Sequence, residues 1–249
     1  MLKTLGIVQA SFSSPVFRAN ALRKLRGKSL LEWVVRRATD SLRLEGVIVV
    51  ACDALDHATL GRLVPMDVPV FQCRTPDMLT RFARALEHYQ AEAVVRIQGD
   101  NLFIDPALID RLVVAAEAID GCDYAGYGSH DGSPAALSPV NVYAEWFRSK
   151  AICRAHRSAS DPDERQQVTR YIYTRPEKFR VHWIPAPREI DRDDVRLTIA
   201  NDDDWDNALD IVEALGPEAL EWQRIAGFLS HQPAMRKRMA AMNRACAGS

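Results

Sequence analysis

The sequence predicts an α/β fold, a mostly parallel sheet with helices on both faces. Apolar runs and amphipathic stretches alternate through the first half of the chain. The apolar runs are continuous rather than interleaved with polar residues, as in strands buried on both faces. The bulk is also right: 249 residues, 47% hydrophobic and 26% charged, can build one sizeable core, a domain taking roughly 100–200 residues.

In order along the chain, residues 5–10 read as a buried strand, followed by a polar loop over 11–20. Leu30, Leu31, Val34, Val35 and Ala38 share one face of the next helix, at i, i+3, i+4 spacing. Residues 47–52 form a second strand, closed by Asp53, and 68–71 a short third. A helix over 78–89 turns Leu79, Phe82, Ala83 and Leu86 inward. Residues 94–98 are the fourth strand and 106–118 the helix after it. The second half is more mixed. Strands are expected at 123–127, 138–143, 180–184 and 196–199, and helices at 144–156, 162–174, 205–215 and 218–229. The basic, Ala/Met-rich stretch from Met235 reads as a frayed helix. The simplest division is one domain over 1–230, elaborated over about 126–195, with a basic helical tail at 231–249.

The segment Val94-Val-Arg-Ile-Gln-Gly-Asp-Asn-Leu-Phe-Ile-Asp-Pro106 is the most telling. Asp100 stands just past a buried strand, where open α/β sheets bind ligands. A carboxylate there can hold Mg²⁺ against phosphate oxygens. It can equally cap the turn at Gly99 or the next helix.

The formal net charge of −1 gives no general attraction to nucleic acid or to anionic membrane. No apolar run approaches the roughly 20 residues that span a bilayer, and residues 1–8 read as a strand rather than a signal peptide. Five scattered cysteines without Cys-x-x-Cys spacing read as reduced thiols of a cytoplasmic protein. The six histidines lack the spacing of a zinc site.

Several segments in order carry a family resemblance. They are Ile7-Val-Gln-Ala10 with its polar loop, Leu25-Arg-Gly-Lys-Ser-Leu-Leu-Glu-Trp-Val-Val-Arg-Arg37, Val49-Val-Ala-Cys-Asp53, Leu79-Thr-Arg81 and the Asp100 segment. Arg165-Gln-Gln-Val-Thr-Arg-Tyr-Ile-Tyr173, Pro176-Glu-Lys-Phe-Arg180 and Arg196-Leu-Thr-Ile199 complete them. Together they resemble the spore-coat polysaccharide biosynthesis cytidylyltransferases and, more distantly, the CMP-Kdo and CMP-sialate synthetases. The resemblance implies a Rossmann-like sheet of the GT-A type. It implies transfer of a nucleotide, CMP from CTP, to an acidic sugar or related acceptor, with Mg²⁺ held by two aspartates. It further implies a homodimer paired through residues 138–156. Nucleotide contacts would fall on Gln9, Ala10, Ser11, Ser13, Ser14, Asn20, Asp53, Arg81 and Gln98, acceptor contacts on Asn141, Arg165 and Gln167, and the metal on Asp100.

The chain departs from the family at ligand positions. Ser11 stands where the family carries arginine, Ser13 where it carries glycine, and Asn20 where it carries lysine. Ala200 replaces the second metal aspartate, Pro139 and Asn141 replace acidic residues, and Gln166, Gln167 and Arg170 replace Glu, His and Pro. Three readings follow. In the first, a cytidylyltransferase has rebuilt its contacts, with Arg18, Arg23 or Lys24 on the phosphates and Asp202 or Asp203 as second carboxylate. In the second, a catalytically degenerate relative serves as a nucleotide-binding or structural module. In the third, a GT-A-type glycosyltransferase uses the run Asp202-Asp-Asp204, a run that would otherwise supply an acidic first turn to the helix at Trp205.

Overall fold

The computed structural model describes residues 1–12, 14–52, 57–75 and 77–247. Ser13 and Asp53 therefore lie outside the described residues. β1 (Leu2–Ala10) leads into α1 (Pro15–Ala21), the short hairpin β2 (Lys24–Leu25) and β3 (Lys28–Ser29), and α2 (Leu30–Thr39). β4 (Gly46–Cys52), α3 (His57–Leu60), β5 (Val70–Cys73), α4 (Met78–His88), β6 (Ala91–Gln98) and α5 (Pro106–Glu117) continue the alternation. Then come β7 (Tyr124–Gly128), β8 (Glu145–Arg148), α6 (Ser149–Ser158), α7 (Pro162–Gln166) and α8 (Arg170–Tyr173). β9 (Val181–Pro185), α9 (Asp202–Leu215), α10 (Trp222–Ser230) and α11 (Pro233–Ala247) complete the described chain.

Seven of these strands form one sheet in the order β5-β4-β1-β6-β8-β7-β9. Among the described strands of that sheet only β8 runs against the others, pairing antiparallel with both β6 and β7. The α/β class and the mostly parallel sheet are thus as the sequence predicts. Alternate residues of each central strand feed opposite faces. Val8, Val49 and Val95 pack with α2, α5 and α9, while Ile7, Ile48 and Val94 pack with α4, α6 and α8. Register places Gln9 between Val50 and Gln98, so the carboxyl ends of β1, β4 and β6 open onto one crevice.

The structure differs from the sequence reading in six places. The polar loop 11–20 contains α1, started by Ser14, whose hydroxyl accepts from Phe17 N–H at 3.3 Å, with Pro15 in the first turn. Residues 138–143 are irregular rather than a strand. Buried Val140, Val142 and Tyr143 mimic a strand pattern, but this backbone is held by loops, Asp105 N–H reaching Val142 O at 3.3 Å. The helix expected at 144–156 begins only at Ser149, because Glu145 to Arg148 pair with β6 as a strand. The expected helix over 162–174 is two short ones, α7 and α8. Residues 196–199 do not join the sheet, since Leu197 and Thr198 both donate to Pro139 O, at 2.8 and 3.0 Å. The tail is packed, not frayed: α11 buries Met235 and Met239, and Asn243 donates to Asp193 O and Val195 O.

Candidate active site

The crevice depends on a close approach that only glycine allows. Gly99 N–H donates to Gln9 O at 2.9 Å. A Cβ on Gly99 would lie 2.7 Å from that same oxygen and 3.0 Å from the Phe17 ring. Its absence lets β1, β6 and α1 converge. The small cavity left there, about 120 Å³, is lined by Gln9, Ser11, Ser14, Val16, Phe17, Gln98, Gly99 and Asp100. Five of the predicted contacts, Gln9, Ser11, Ser14, Gln98 and Asp100, therefore meet at one place. Ala10 is buried at the end of β1.

The Asp100 carboxyl is pushed up from the ordinary aspartate range, first by burial, against its own backbone N–H and the Arg96 charge. Among the described residues no salt bridge or side-chain hydrogen bond reaches it. A desolvated carboxylate without an ion pair suits a cation, and Mg²⁺ is commonly held by one or two carboxylates with phosphate oxygens and waters. One carboxylate is what this crevice supplies: among the described residues, no three His, Cys, Asp or Glu side chains converge as a metal site.

Gln98 also lines an adjoining cavity, so the crevice continues to a second wall formed by Arg196 and Thr198, and two of the aspartates just beyond, Asp202 and Asp204, are answered internally. Buried Asn20 donates to Ile199 O at 2.7 Å, tying α1 to this stretch. Arg196 grips Asp204 with two hydrogen bonds, 2.6 and 2.9 Å, and Ala200 N–H also donates to Asp204. Asp202 is bound by Arg23, whose guanidinium lies over the Trp205 ring. Asn201 is the cap of α9, accepting from Asp204 N–H, and the three aspartates form its acidic first turn. Two groups put forward as replacements for lost ligands, Arg23 and Asp202, thus hold each other.

The other predicted residues fall elsewhere. The Arg18 guanidinium donates to Phe12 O at 2.9 and 3.2 Å. Lys24 is exposed on the β2–β3 hairpin. Arg81 is buried in α4 and donates to Thr75 O. Arg165 ties α7 to the start of α4, through Asp77 at 3.2 Å and Thr80 at 2.8 Å. Gln167 is the exposed C-cap of α7. Asn141 is better placed. With Gln98, Arg196 and Thr198 it lines a cavity of about 470 Å³, a size suited to a small molecule. Its φ of 46° is a left-handed conformation that asparagine tolerates better than most residues. Such strain held in a buried pocket residue is typical of functional sites.

Sequence reasoning missed Arg96 and Glu145. Arg96 in β6 donates from Nε to Gln9 Oε1 at 2.7 Å and pairs with Glu145 of β8. Glu145 also accepts from Tyr124 and Thr169, at 2.8 and 2.7 Å. The available signal was a charged residue in an apolar strand, between buried Val95 and Ile97.

Known proteins resemble the chain in sequence and in fold. The chain is 28% identical over 236 residues to an uncharacterised protein of Methanocaldococcus jannaschii, covering 94% of this chain and 93% of that one. It is 26% identical over 218 residues to the spore coat polysaccharide biosynthesis protein SpsF of Bacillus subtilis, covering 85% and 87%. The fold is shared with a cytidylyltransferase from Leptospira borgpetersenii, with a TM-score of 0.81 at 20% identity over 94% of this chain and 97% of that one. A sequence model of the cytidylyltransferase family matches residues 5–226, and the chain belongs to that family.

Proposed function

We propose that the protein transfers CMP from CTP to an acidic sugar or related acceptor in surface-polysaccharide biosynthesis, in the cytoplasm. The observation that supports this best is Asp100, a desolvated carboxylate without an ion pair, facing Gln9, Ser11, Ser14 and Gln98 across a crevice at the strand ends. The nucleotide's phosphates would lie against that crevice, and the acceptor in the adjoining cavity by Gln98, Asn141 and Thr198. An acceptor oxygen bonds to the α-phosphorus, the bond to the β-phosphate bridge breaks, and pyrophosphate leaves. Such transfer depends on positioning and on charge at the phosphate oxygens. Asp100 would hold a bound Mg²⁺, which supplies that charge. A second copy would pair through residues 138–156.

The test is pyrophosphate release from CTP with Mg²⁺ and a panel of 2-keto acid sugars, with ATP, GTP and UTP as controls. Release that requires CTP and an acid sugar is expected. Release with none of the nucleotides defeats the reading.

A second reading, a nucleotide-binding relative without turnover, is favoured by Ala200 and by the Asn20 side chain committed to Ile199 O. Losing one charge-stabilising group costs about 10²–10³ in rate. Calorimetry separates the two: metal-dependent CTP binding with no pyrophosphate release supports the second.

A further inference from the structure

Gln9 sits at the mouth of the small cavity, and its amide orientation is forced from behind. Arginine has donors only. The Arg96 Nε–H therefore requires the Gln9 oxygen, at 2.7 Å, and turns Gln9 Nε2 the other way, to Ser11 Oγ at 3.1 Å. With its oxygen accepting from Gln9, the Ser11 hydroxyl proton is free to point outward, as is the second Nε2 proton. Arg96 is itself held. Glu145 binds its Nη1, and the Glu145 carboxylate is fixed by hydroxyls of Tyr124 from β7 and Thr169 beside α8. Glu145, Tyr124 and Thr169 are all buried. Because the side chain of Tyr124 is pushed well above the ordinary phenol range by burial and by Glu145, it stays a donor.

We infer that Arg96 and Glu145 are positioning residues that set Gln9 and Ser11 as a donor pair for an oxygen of the bound nucleotide. This rests on the proposed nucleotide reading and extends it. The pair gives the end of β1 two neutral donors directed by a cation one layer below. Hydrogen bonds in such a chain polarise one another, so the cation's influence reaches the ligand through Gln9. The oxygen recognised belongs to a phosphate or to the base carbonyl, which have the same acceptor chemistry.

The experiment is calorimetric titration of the full chain with Mg²⁺ and CTP, tripolyphosphate or cytidine. It compares wild type, Arg96→Lys, Gln9→Leu, the double variant and Glu145→Gln. Arg96→Lys keeps a positive charge beside Glu145 while withdrawing the Nε donor from Gln9. Thermal melts confirm that each variant folds. Arg96→Lys is expected to weaken CTP binding about tenfold, as for loss of one charge-assisted contact. The same change in the Gln9→Leu background is expected to have less than about a twofold effect, because interacting residues are non-additive. Glu145→Gln, which sets an amide against Arg96, should lose affinity in the same direction. A loss shared by tripolyphosphate assigns the contact to a phosphate oxygen, and one shared by cytidine assigns it to the base; either supports the donor pair. Additive losses, or wild-type affinity in Arg96→Lys, overturn the inference and leave the nucleotide reading standing. Failure of wild type to bind CTP overturns both.

Discussion

The two walls of the crevice treat charge in opposite ways. At the ends of β1 and β6, Asp100 is desolvated and, among the described residues, has no ion pair. On the wall running from Arg196 to Asp204, Arg196 holds Asp204 and Arg23 holds Asp202. The second wall carries more carboxylates, but two of them, Asp202 and Asp204, are already held. What a carboxylate can do for a ligand is decided by what already holds it, not by how many stand in a row.

The largest expected effect breaks the second wall. The side chains of Arg196 and Asp204 are 4% and 0% exposed. Asp204→Ala strands a buried guanidinium and removes the acceptor of Ala200 N–H, a loss of about 3–5 kcal/mol for a broken buried pair. Urea unfolding measures it. A loss under about 1 kcal/mol would mean that this wall is not locked by the pair.

Next is the first wall. Asp100→Asn is expected to lower turnover about 10²–10³-fold, as for loss of a preorganised charge-stabilising group, while Asp202→Asn, on an exposed pair, changes it less than about twofold. The fold responds the other way. A carboxyl whose folded pKa is raised contributes stability below its unfolded value, about 3.9, and loses that contribution as pH rises through the folded value. Without ligand, ionising Asp100 in the folded protein is therefore a cost. Asp100→Asn should melt no lower than wild type at pH 7, and lower relative to it below pH 4. Equal turnover for the Asp100 and Asp202 variants would erase the contrast between the walls.

The same contrast separates what was legible in the sequence from what was not. β1, α2, β4, α4, β6 and α5 follow from apolar periodicity, and Asp100 follows from its place after a strand, because both are local properties. α1 was signalled by Ser14 before Pro15 but hidden within a polar stretch. β8 merged with the helix behind it, since Trp146 and Phe147 continue an apolar pattern into α6. The second wall was opaque for a different reason: Arg23 meets Asp202 and Asn20 meets Ile199 across 179 residues. No spacing in the chain marks such pairs, so Asp202 looked available when it was not.

Gly99→Ala tests the convergence that creates the first wall. The new Cβ meets backbone, Gln9 O, which cannot turn aside, and overpacking of this kind costs about 1–3 kcal/mol. Gly6→Ala is the matched control. Its Cβ would lie 2.8 Å from the tip of the Leu44 side chain, which can rotate away. Gly99→Ala should lose more stability in urea than Gly6→Ala and should also weaken CTP binding. Equal losses with CTP binding retained would show that the crevice does not need the close approach.

The smallest effect lies at the rim beyond the second wall. There His130 Nδ1 stands 3.3 Å from Asp191 and Nε2 3.4 Å from Asp193, beside a hollow of about 660 Å³. Asp191 holds the imidazole above the usual histidine range by hydrogen bonding and charge. The sign follows: this stability is fully present below the unfolded value, about 6.5, and is lost as pH rises through the higher folded one. The ring is half exposed, so solvent screens it and the contribution is about 0.2–1 kcal/mol. Urea midpoints of wild type and His130→Gln should converge between pH 6 and pH 8.5, and 0.5 M NaCl should shrink the difference at pH 6. A difference that does not change with pH would mean that the histidine is held by packing, and that the answered charges of the second wall stop at Asp204 and Asp202 without reaching the rim.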